Sequence, residues 1–407
     1  MTALPWFHRA WRALPAAPRR RLLASTAALL APRIARPTPV AGGGVIVAGE
    51  LTRASGLGEG ARLMLRALDA LGIPNWPLDI GPMLPAHEAD LALKPAPTSP
   101  PADAALVLHV NAPMLPMVLA RLPRALTRGR RIVGYWAWEL PVAGPEWRVG
   151  GRLVHEAWVP SAFTANALAP LLDGRVRIVP HPLAAVPPMP ASMDRAAFGL
   201  PRGVVVILVA FNLASSFERK NPLAAIAAFR AAFGERSDRL LVLKVGNPAH
   251  APDDFARLAA AAVGAPNIRL ETRTFPAVEA HALTATADIV LSLHRSEGFG
   301  LVAAEAMLLG RPVVATGWSG NMDFMDESCA ALVGYRLVPA SDPRGVYAVA
   351  GANWAEPDIA QAADWLRRLA DDPALRARLG AAGYAAAQDR LGSAKLADAV
   401  RALGVPA

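Results

Sequence analysis

The strongest constraint on this chain is a pattern that occurs twice: short apolar runs alternate with amphipathic helical stretches, once before and once after a proline-rich break. In the first half, residues 45–48, 106–110, 131–136, 157–159 and 176–179 have the length and apolar content of strands buried on both faces. Between the first two, residues 52–60 read as a glycine-rich loop and 61–71 as a helix. Met64, Leu65, Leu68 and Leu71 share one face of it, Arg62, Arg66 and Asp69 the other, and Gly72 ends it. Ser161 is placed to cap a helix carrying Phe163 and Leu168. Residues 182–201 are rich in proline, as interdomain linkers are. The alternation restarts with strands over 204–212, 240–245, 267–270, 288–293 and 312–315. Asn221 and Pro222 open a helix running to Phe233, another covers 301–309, and helices over 357–370 and 373–390 close the chain. Repeated strand–helix–strand units make parallel sheets with helices on both faces. The chain is therefore expected to be α/β, with two Rossmann-like doubly wound parallel sheets facing a cleft at the carboxyl ends of their strands. The expected division is an arm over 1–41, a first domain over 42–185, a linker over 186–201 and a second domain over 202–407 that includes the terminal helices. A length of 407 residues suits two domains.

Charge is spread unevenly. The net charge is +9, yet residues 1–49 hold seven arginines and no acid, which leaves +2 for the rest; the first carboxylate is Glu50. In helical projection Phe7, Ala10, Trp11 and Leu14 share one face, with His8, Arg9 and Arg12 opposite; Arg19, Arg20 and Arg21 then precede Leu22, Leu23, Leu29 and Leu30. Tryptophan and arginine on an amphipathic helix suit an anionic membrane surface, so residues 1–36 are a candidate for peripheral contact with the inner face of a plasma membrane. Solvated arginines on an unattached extension would give the same pattern. Basic residues continue at Arg33 and Arg36, which argues against a cleaved signal peptide. No run reaches the roughly 18 apolar residues of a spanning helix. Nothing downstream resembles a nucleic-acid-binding module, so nucleic acid is not an expected partner. The single cysteine, Cys329, excludes an internal disulfide and a thiolate zinc site and suits a reducing, cytoplasmic compartment. The eight histidines show no metal-ligand spacing, and neither a metal nor a cofactor is expected.

The segment 292–321, SLHRSEGFGLVAAEAMLLGRPVVATGWSGN, carries the most chemistry. A strand ends at Leu293, a turn with Glu297, Gly298, Phe299 and Gly300 follows, and a helix opens at Leu301. Free N–H groups and the positive dipole end at a helix start suit a diphosphate, and the two glycines let the backbone approach it. Glu305 stands in an otherwise apolar helix, where it can accept hydrogen bonds from ribose hydroxyls, while Glu297 can contact a sugar. In NLASSFERKNP, residues 212–222, Arg219 and Lys220 precede a helix start and can neutralise a diphosphate leaving group. Lysine is rare here, occurring only at 94, 220, 244 and 395, which singles out Lys220. Lys244 falls in an expected strand, where a charge is costly unless paired. Gly56 and Gly58 lie in SGLGEG after the first strand; a tight structural turn would look the same. His109 ends a strand, as does the GYWAWEL run with Trp136, Trp138 and Glu139. These residues suit sugar binding and core packing equally. His294 is placed to touch either substrate or backbone.

The 292–321 segment resembles the EX7E signature of glycosyltransferase family 4, whose members have the GT-B fold and retain anomeric configuration. HRSEGFGL at 294–301, RKNP at 219–222 and WAEPD at 354–358 are similar to motifs of a bacterial subgroup, and the resemblance runs from about Gly42 to Arg390. It implies that Glu297 contacts the donor sugar, Glu305 the ribose, and residues Gly298, Phe299, Gly300 and Leu301 the nucleotide. It further implies that the Gly56–Gly58 segment lines the cleft and that His109 approaches the donor sugar. Family members commonly carry an arginine straight after the strand that here ends at Asn212, so the chain departs from the pattern at that position. The implied reaction is front-face transfer of a hexose, with mannose the first candidate, from a GDP- or UDP-linked nucleotide-sugar. The acceptor would be a glycan or lipid-linked oligosaccharide in bacterial surface polysaccharide synthesis. Arg219, Lys220 and the helix start near Gly300 would stabilise the leaving phosphate without a metal, since no convincing DxD loop is present. The rival readings are a non-catalytic carbohydrate-binding or scaffold protein and another GT-B enzyme, such as a sugar-nucleotide epimerase or a phosphorylase.

Overall fold

The computed structural model describes residue 22 and residues 25–84 and 99–406. The amphipathic pattern read over residues 7–14, the arginines at 19–21, Leu23 and Lys94 lie outside the described residues.

The first sheet holds β1 (Val45–Gly49), β2 (Asn75–Asp79), β3 (Ala105–Leu108), β4 (Ile132–Tyr135), β5 (Glu156–Val159) and β6 (Val176–Ile178), in the order β2-β1-β3-β4-β5-β6. The second holds β7 (Val205–Asn212), β8 (Arg239–Gly246), β9 (Ile268–Glu271), β10 (Ile289–Ser292), β11 (Val313–Thr316) and β12 (Ala331–Val333), in the order β12-β11-β10-β7-β8-β9. All these neighbours pair in parallel. The winding direction reverses between β1 and β3 and between β7 and β10, and such reversals open the crevices in which ligands bind. An antiparallel hairpin, β13 (Tyr335–Pro339) and β14 (Asn353–Pro357), follows the second sheet.

The apolar runs are continuous because both faces of each sheet are covered. Ile46 and Ala48 of β1 enter one core while Val45 and Val47 enter another. On β7, Ile207, Val209 and Phe211 face one way and Val206 and Leu208 the other.

Several features depart from the sequence expectation, among them β12, which is absent from the five strands read for the second half. Residues 56–60 are not loop: the Gly56–Ala70 helix begins there, because extended Ser55 accepts a hydrogen bond from the Gly58 N–H at 3.0 Å and offsets the poor helix propensity of three glycines. β2 carries Pro77 at a sheet edge, where a missing N–H is tolerated, so its sequence does not read as a strand. The hairpin was not foreseen either. Finally, a further helix, Ala394–Leu403, follows Pro373–Arg390, and its Leu396, Ala399, Val400 and Leu403 pack with Val45, Val47 and Met64. Residues 394–403, grouped by sequence order with the second domain, thus pack on the first sheet. Among the described residues no helix is long and apolar enough to cross a membrane.

Candidate active site

The segments leaving β7 and β10 meet at the reversal point of the second sheet. Asn212 ends β7, and its side-chain oxygen accepts from the Ala214 N–H at 2.8 Å and the Asn247 amide at 3.0 Å. Ser216 then caps a single helical turn, Phe217–Lys220, by accepting from the Arg219 N–H. Asn221, in the left-handed region at φ 52°, ends that turn and starts the Pro222–Phe233 helix without a side-chain cap bond. This turn aims two cations at the loop after β10. Arg219 Nη1 donates to Glu297 Oε2 at 2.9 Å, and Lys220 Nζ to Oε1 at 2.5 Å. Arg219 also donates to the Ser296 carbonyl at 2.8 Å and the Ser215 hydroxyl at 2.6 Å. The Glu297 N–H donates to Ser319 Oγ at 2.8 Å. Burial alone would raise the Glu297 carboxyl, but the Lys220 and Arg219 charges outweigh it and hold the group well below the usual carboxylate range.

The first sheet reaches this cluster from the other side. Glu139, after β4, has Oε1 3.8 Å from Arg219 Nη2. Tyr347, in the connection between β13 and β14, has its ring centroid 5.6 Å from the Arg219 guanidinium and 5.5 Å from the Trp138 ring. Burial raises both Tyr347 and Glu139 above their ordinary values. Arg344 holds the connection in place by donating to the Leu213 and Ser215 carbonyls at 2.7 and 2.6 Å. Ser161 caps the Ala162–Leu168 helix and also donates to the Gly298 carbonyl at 2.6 Å. A Cβ on Gly298 would stand 3.1 Å from the Trp138 carbonyl.

Gly300 has φ +102°, a conformation that only glycine adopts without strain, and it starts the Leu301–Leu308 helix with no side-chain cap. Phe299 is buried, edge-on to His181 at 4.9 Å and 5.0 Å from Phe324, so it anchors the turn and does not face the cleft. Leu301 is partly buried at the helix start. One helical turn on, Glu305 faces a pocket of about 320 Å³. Glu59, Leu63 and Arg66 of the Gly56–Ala70 helix line the other side, and His281 Nε2 lies 3.9 Å from Glu305 Oε1. The pocket therefore lies between the two sheets' helices.

Other expected residues sit elsewhere. His109 is fully buried: its ring stacks on Tyr135 at 4.3 Å, Tyr135 meets His181 at 5.4 Å, and Nε2 is 3.5 Å from Met64 Sδ. Among the described residues its Nδ1 has no hydrogen-bond partner, and burial holds the ring well below its ordinary value. His109 is thus enclosed in a ladder that runs through Tyr135 and His181 to Phe299, two residues from Glu297. Gly58 is buried, with the Glu50 carbonyl 2.4 Å from a would-be Cβ, whereas Gly56 has nothing within 4 Å. Lys244 pairs in register with Glu271 and has Nζ 5.5 Å from the Phe275 ring, outside the cluster. Trp136 is core, edge-on to Trp147. His294 lies 3.2 Å from the Trp318 carbonyl and 3.1 Å from the Asn321 side chain, which makes it a support for the backbone. Among the described residues no cluster of three His, Cys, Asp or Glu side chains is arranged to hold a metal.

A family model described as family 4 glycosyltransferase in conflict systems matches residues 166–391, more than half of the sequence. The chain belongs to glycosyltransferase family 4. Curated relatives named D-inositol 3-phosphate glycosyltransferase match over shorter stretches. The protein from Nocardioides sp. is 33% identical over 51% of this chain and 43% of its own length, and that from Frankia alni 36% identical over 37% and 33%. The match thus spans less than half of either relative. Solved structures share the fold at low identity. Sucrose-phosphate synthase from Thermosynechococcus elongatus aligns with a TM-score of 0.60 at 17% identity, covering 88% of this chain and 98% of that one. Anabaena HepE in complex with UDP and glucose aligns at 0.58 and 12%, with the same coverage. The architecture is GT-B.

In this family 4 chain the WAEPD segment buttresses the Glu297 loop. It forms β14, whose Ala355 N–H donates to the Arg295 carbonyl at 2.9 Å. Arg295 donates to Glu356 at 2.7 Å and lies over the Trp354 ring at 5.6 Å. Asp358 caps the helix that follows. Sequence reasoning missed Tyr347, Ser215, Glu59, Arg66 and His281 as site neighbours: Tyr347, Glu59, Arg66 and His281 meet residues distant in sequence, while Ser215 lies inside the segment read for Arg219 and Lys220, four residues from the guanidinium it meets.

Proposed function

We propose that this chain is a retaining, metal-independent hexosyltransferase acting on a nucleotide-sugar. The observation that carries the reading is the convergence of Arg219 and Lys220 on Glu297, beside the uncapped start of the helix that bears Glu305. The nucleoside sits in the pocket between Glu305 with His281 and Glu59 with Arg66, its ribose on the Glu305 carboxylate. The diphosphate lies against the N–H groups after Gly300 and the two cations, and the hexose meets Glu297, which turns from its cation partners to sugar hydroxyls. His109 lies behind this site and acts through Tyr135 and His181 on the turn at Phe299.

In the reaction the bond from the anomeric carbon to the phosphate oxygen breaks, with its electron pair leaving on the diphosphate. The acceptor hydroxyl bonds to the anomeric carbon on the same face and gives its proton to the departing phosphate oxygen. Arg219 and Lys220 stabilise the charge that develops there, in a site from which water is largely excluded. The donor is GDP- or UDP-linked. HepE holds UDP and glucose, and mannose is the first sugar to test beside glucose. The acceptor is a glycan hydroxyl of a bacterial surface polysaccharide, and the reaction takes place in the cytoplasm.

The test is turnover of UDP-glucose and GDP-mannose in EDTA, with the product anomer read by proton NMR. The expected result is a retained anomer and at least a roughly hundredfold loss in Glu297→Ala with nucleotide binding kept. An inverted product, or unchanged turnover in Glu297→Ala, contradicts the proposal. No turnover of any donor together with no nucleotide binding favours the scaffold reading.

A further inference from the structure

A second surface lies at the opposite end of the first sheet from the cleft. A groove of about 570 Å³ is lined by Pro32, Arg33, Ala35, Arg124, Arg128 and Gly129. The segment with Arg124 and Arg128 immediately precedes β4. The 32–35 segment is held by His155, which precedes β5 and has Nε2 3.1 Å from the Ala35 carbonyl. All strands of this sheet are parallel, so the groove sits at their amino-terminal ends and the candidate site at their carboxyl ends.

The arginines of the groove differ from their neighbour Arg130. Arg130 is buried and donates to the Pro101 and Ala104 carbonyls, a structural use. Arg33, Arg124 and Arg128 are exposed, and among the described residues none makes an ion pair. Directly before the groove, Leu29 is 86% exposed and Leu30 70% exposed, while Ala31 is buried in the first core and fixes where the segment enters the domain. Two exposed leucines and three guanidinium groups with no ion pair among the described residues are therefore contiguous on one surface.

We infer that this surface docks the protein on an anionic phospholipid bilayer. Lipid phosphates satisfy the guanidinium groups, and the interfacial acyl region takes the leucines. A nucleic acid would use the arginines but leave the leucines in water. A symmetric second copy would bring the arginine groove against itself. The inference extends the surface beyond the basic arm, because Arg124 and Arg128 come from a distant segment, and it is independent of the transferase reading. It also fixes an orientation: the cleft opens away from the bilayer.

The experiment is co-sedimentation of the full chain with vesicles of phosphatidylcholine alone and with about one-third phosphatidylglycerol. An arginine near an anionic surface is worth about fivefold in partitioning, so R124Q/R128Q is expected to bind anionic vesicles about 25-fold more weakly. L29S/L30S is expected to bind more weakly while keeping the salt sensitivity of the unchanged protein. Stabilisation by UDP or GDP should be the same in both variants and the unchanged protein, which separates a folding defect, or failure of the transferase reading, from failure at this surface. Binding by R124Q/R128Q equal to that of the unchanged protein would assign any membrane contact to the arm alone and overturn the inference. So would an absence of anionic-vesicle binding, or dimerisation through Leu29 and Leu30.

Discussion

Glu297→Gln keeps the shape of the side chain and removes its charge, leaving two cations where there was a balanced group. Arg219 and Lys220 sit 2.9 and 2.5 Å from the carboxylate, and the next acid, Glu139, is 3.8 Å from Arg219. Removing one partner of a buried pair costs about 3–5 kcal/mol. Glu139 and the partial exposure of Lys220, 20% at its side chain, recover some of this, so the lower end, about 3 kcal/mol, applies. For domains of this size one kcal/mol moves Tm by about 2–4 °C, which gives a drop of about 6–12 °C by circular dichroism. The uncovered cations also attract a diphosphate more strongly, so UDP or GDP should raise Tm more in the variant than in the parent. The pH dependence has a definite sign. A carboxyl whose folded pKa lies below its unfolded value near 4.3 contributes stability that is full above that value and lost as pH falls towards the folded one. The parent should therefore lose stability below about pH 5, and the variant should lose less over that window. Equal Tm at neutral pH together with an unchanged acid profile would refute the reasoning.

Three other substitutions probe the same frame. A Cβ at Gly60 would lie 2.5 Å from His181 Cε1, and that ring is held between Tyr135 and Phe299, so Gly60→Ala should lower stability by about 1–3 kcal/mol in denaturant unfolding, whereas Gly56→Ala, with open space around it, should be neutral or stabilising by up to about 1 kcal/mol. Tyr347→Ala should cost about 3–5 kcal/mol as a large-to-small change and, by uncovering Arg219, should speed nucleotide association in stopped-flow fluorescence.

The doubly wound plan was legible because strands buried on both faces read as unbroken apolar runs, as 205–212 does. The Arg219–Lys220 and Glu297 segments were legible because each follows such a run. Strand β2 was not, since Asn75, Pro77 and Asp79 lack β-propensity and leave only Trp76 and Leu78 as an apolar alternation, and its edge position excuses them. The helix start at Gly56 was hidden by glycines whose cost a serine cap offsets. Tyr347 was invisible because its place over Arg219 depends on a tertiary clasp by Arg344 to the segment after β7. His109 ends its strand as read, but its enclosure by Tyr135 and Met64 depends on contacts distant in sequence and left no local signal.

The most direct test of the central claim is calorimetric titration of GDP, UDP and ADP into the protein in EDTA, repeated with magnesium and with Glu305→Ala. GDP or UDP is expected to bind without metal, and Glu305→Ala to weaken that binding about 10- to 100-fold, the worth of hydrogen bonds to a charged group. Binding that requires magnesium, or is unaffected by Glu305→Ala, would contradict that claim.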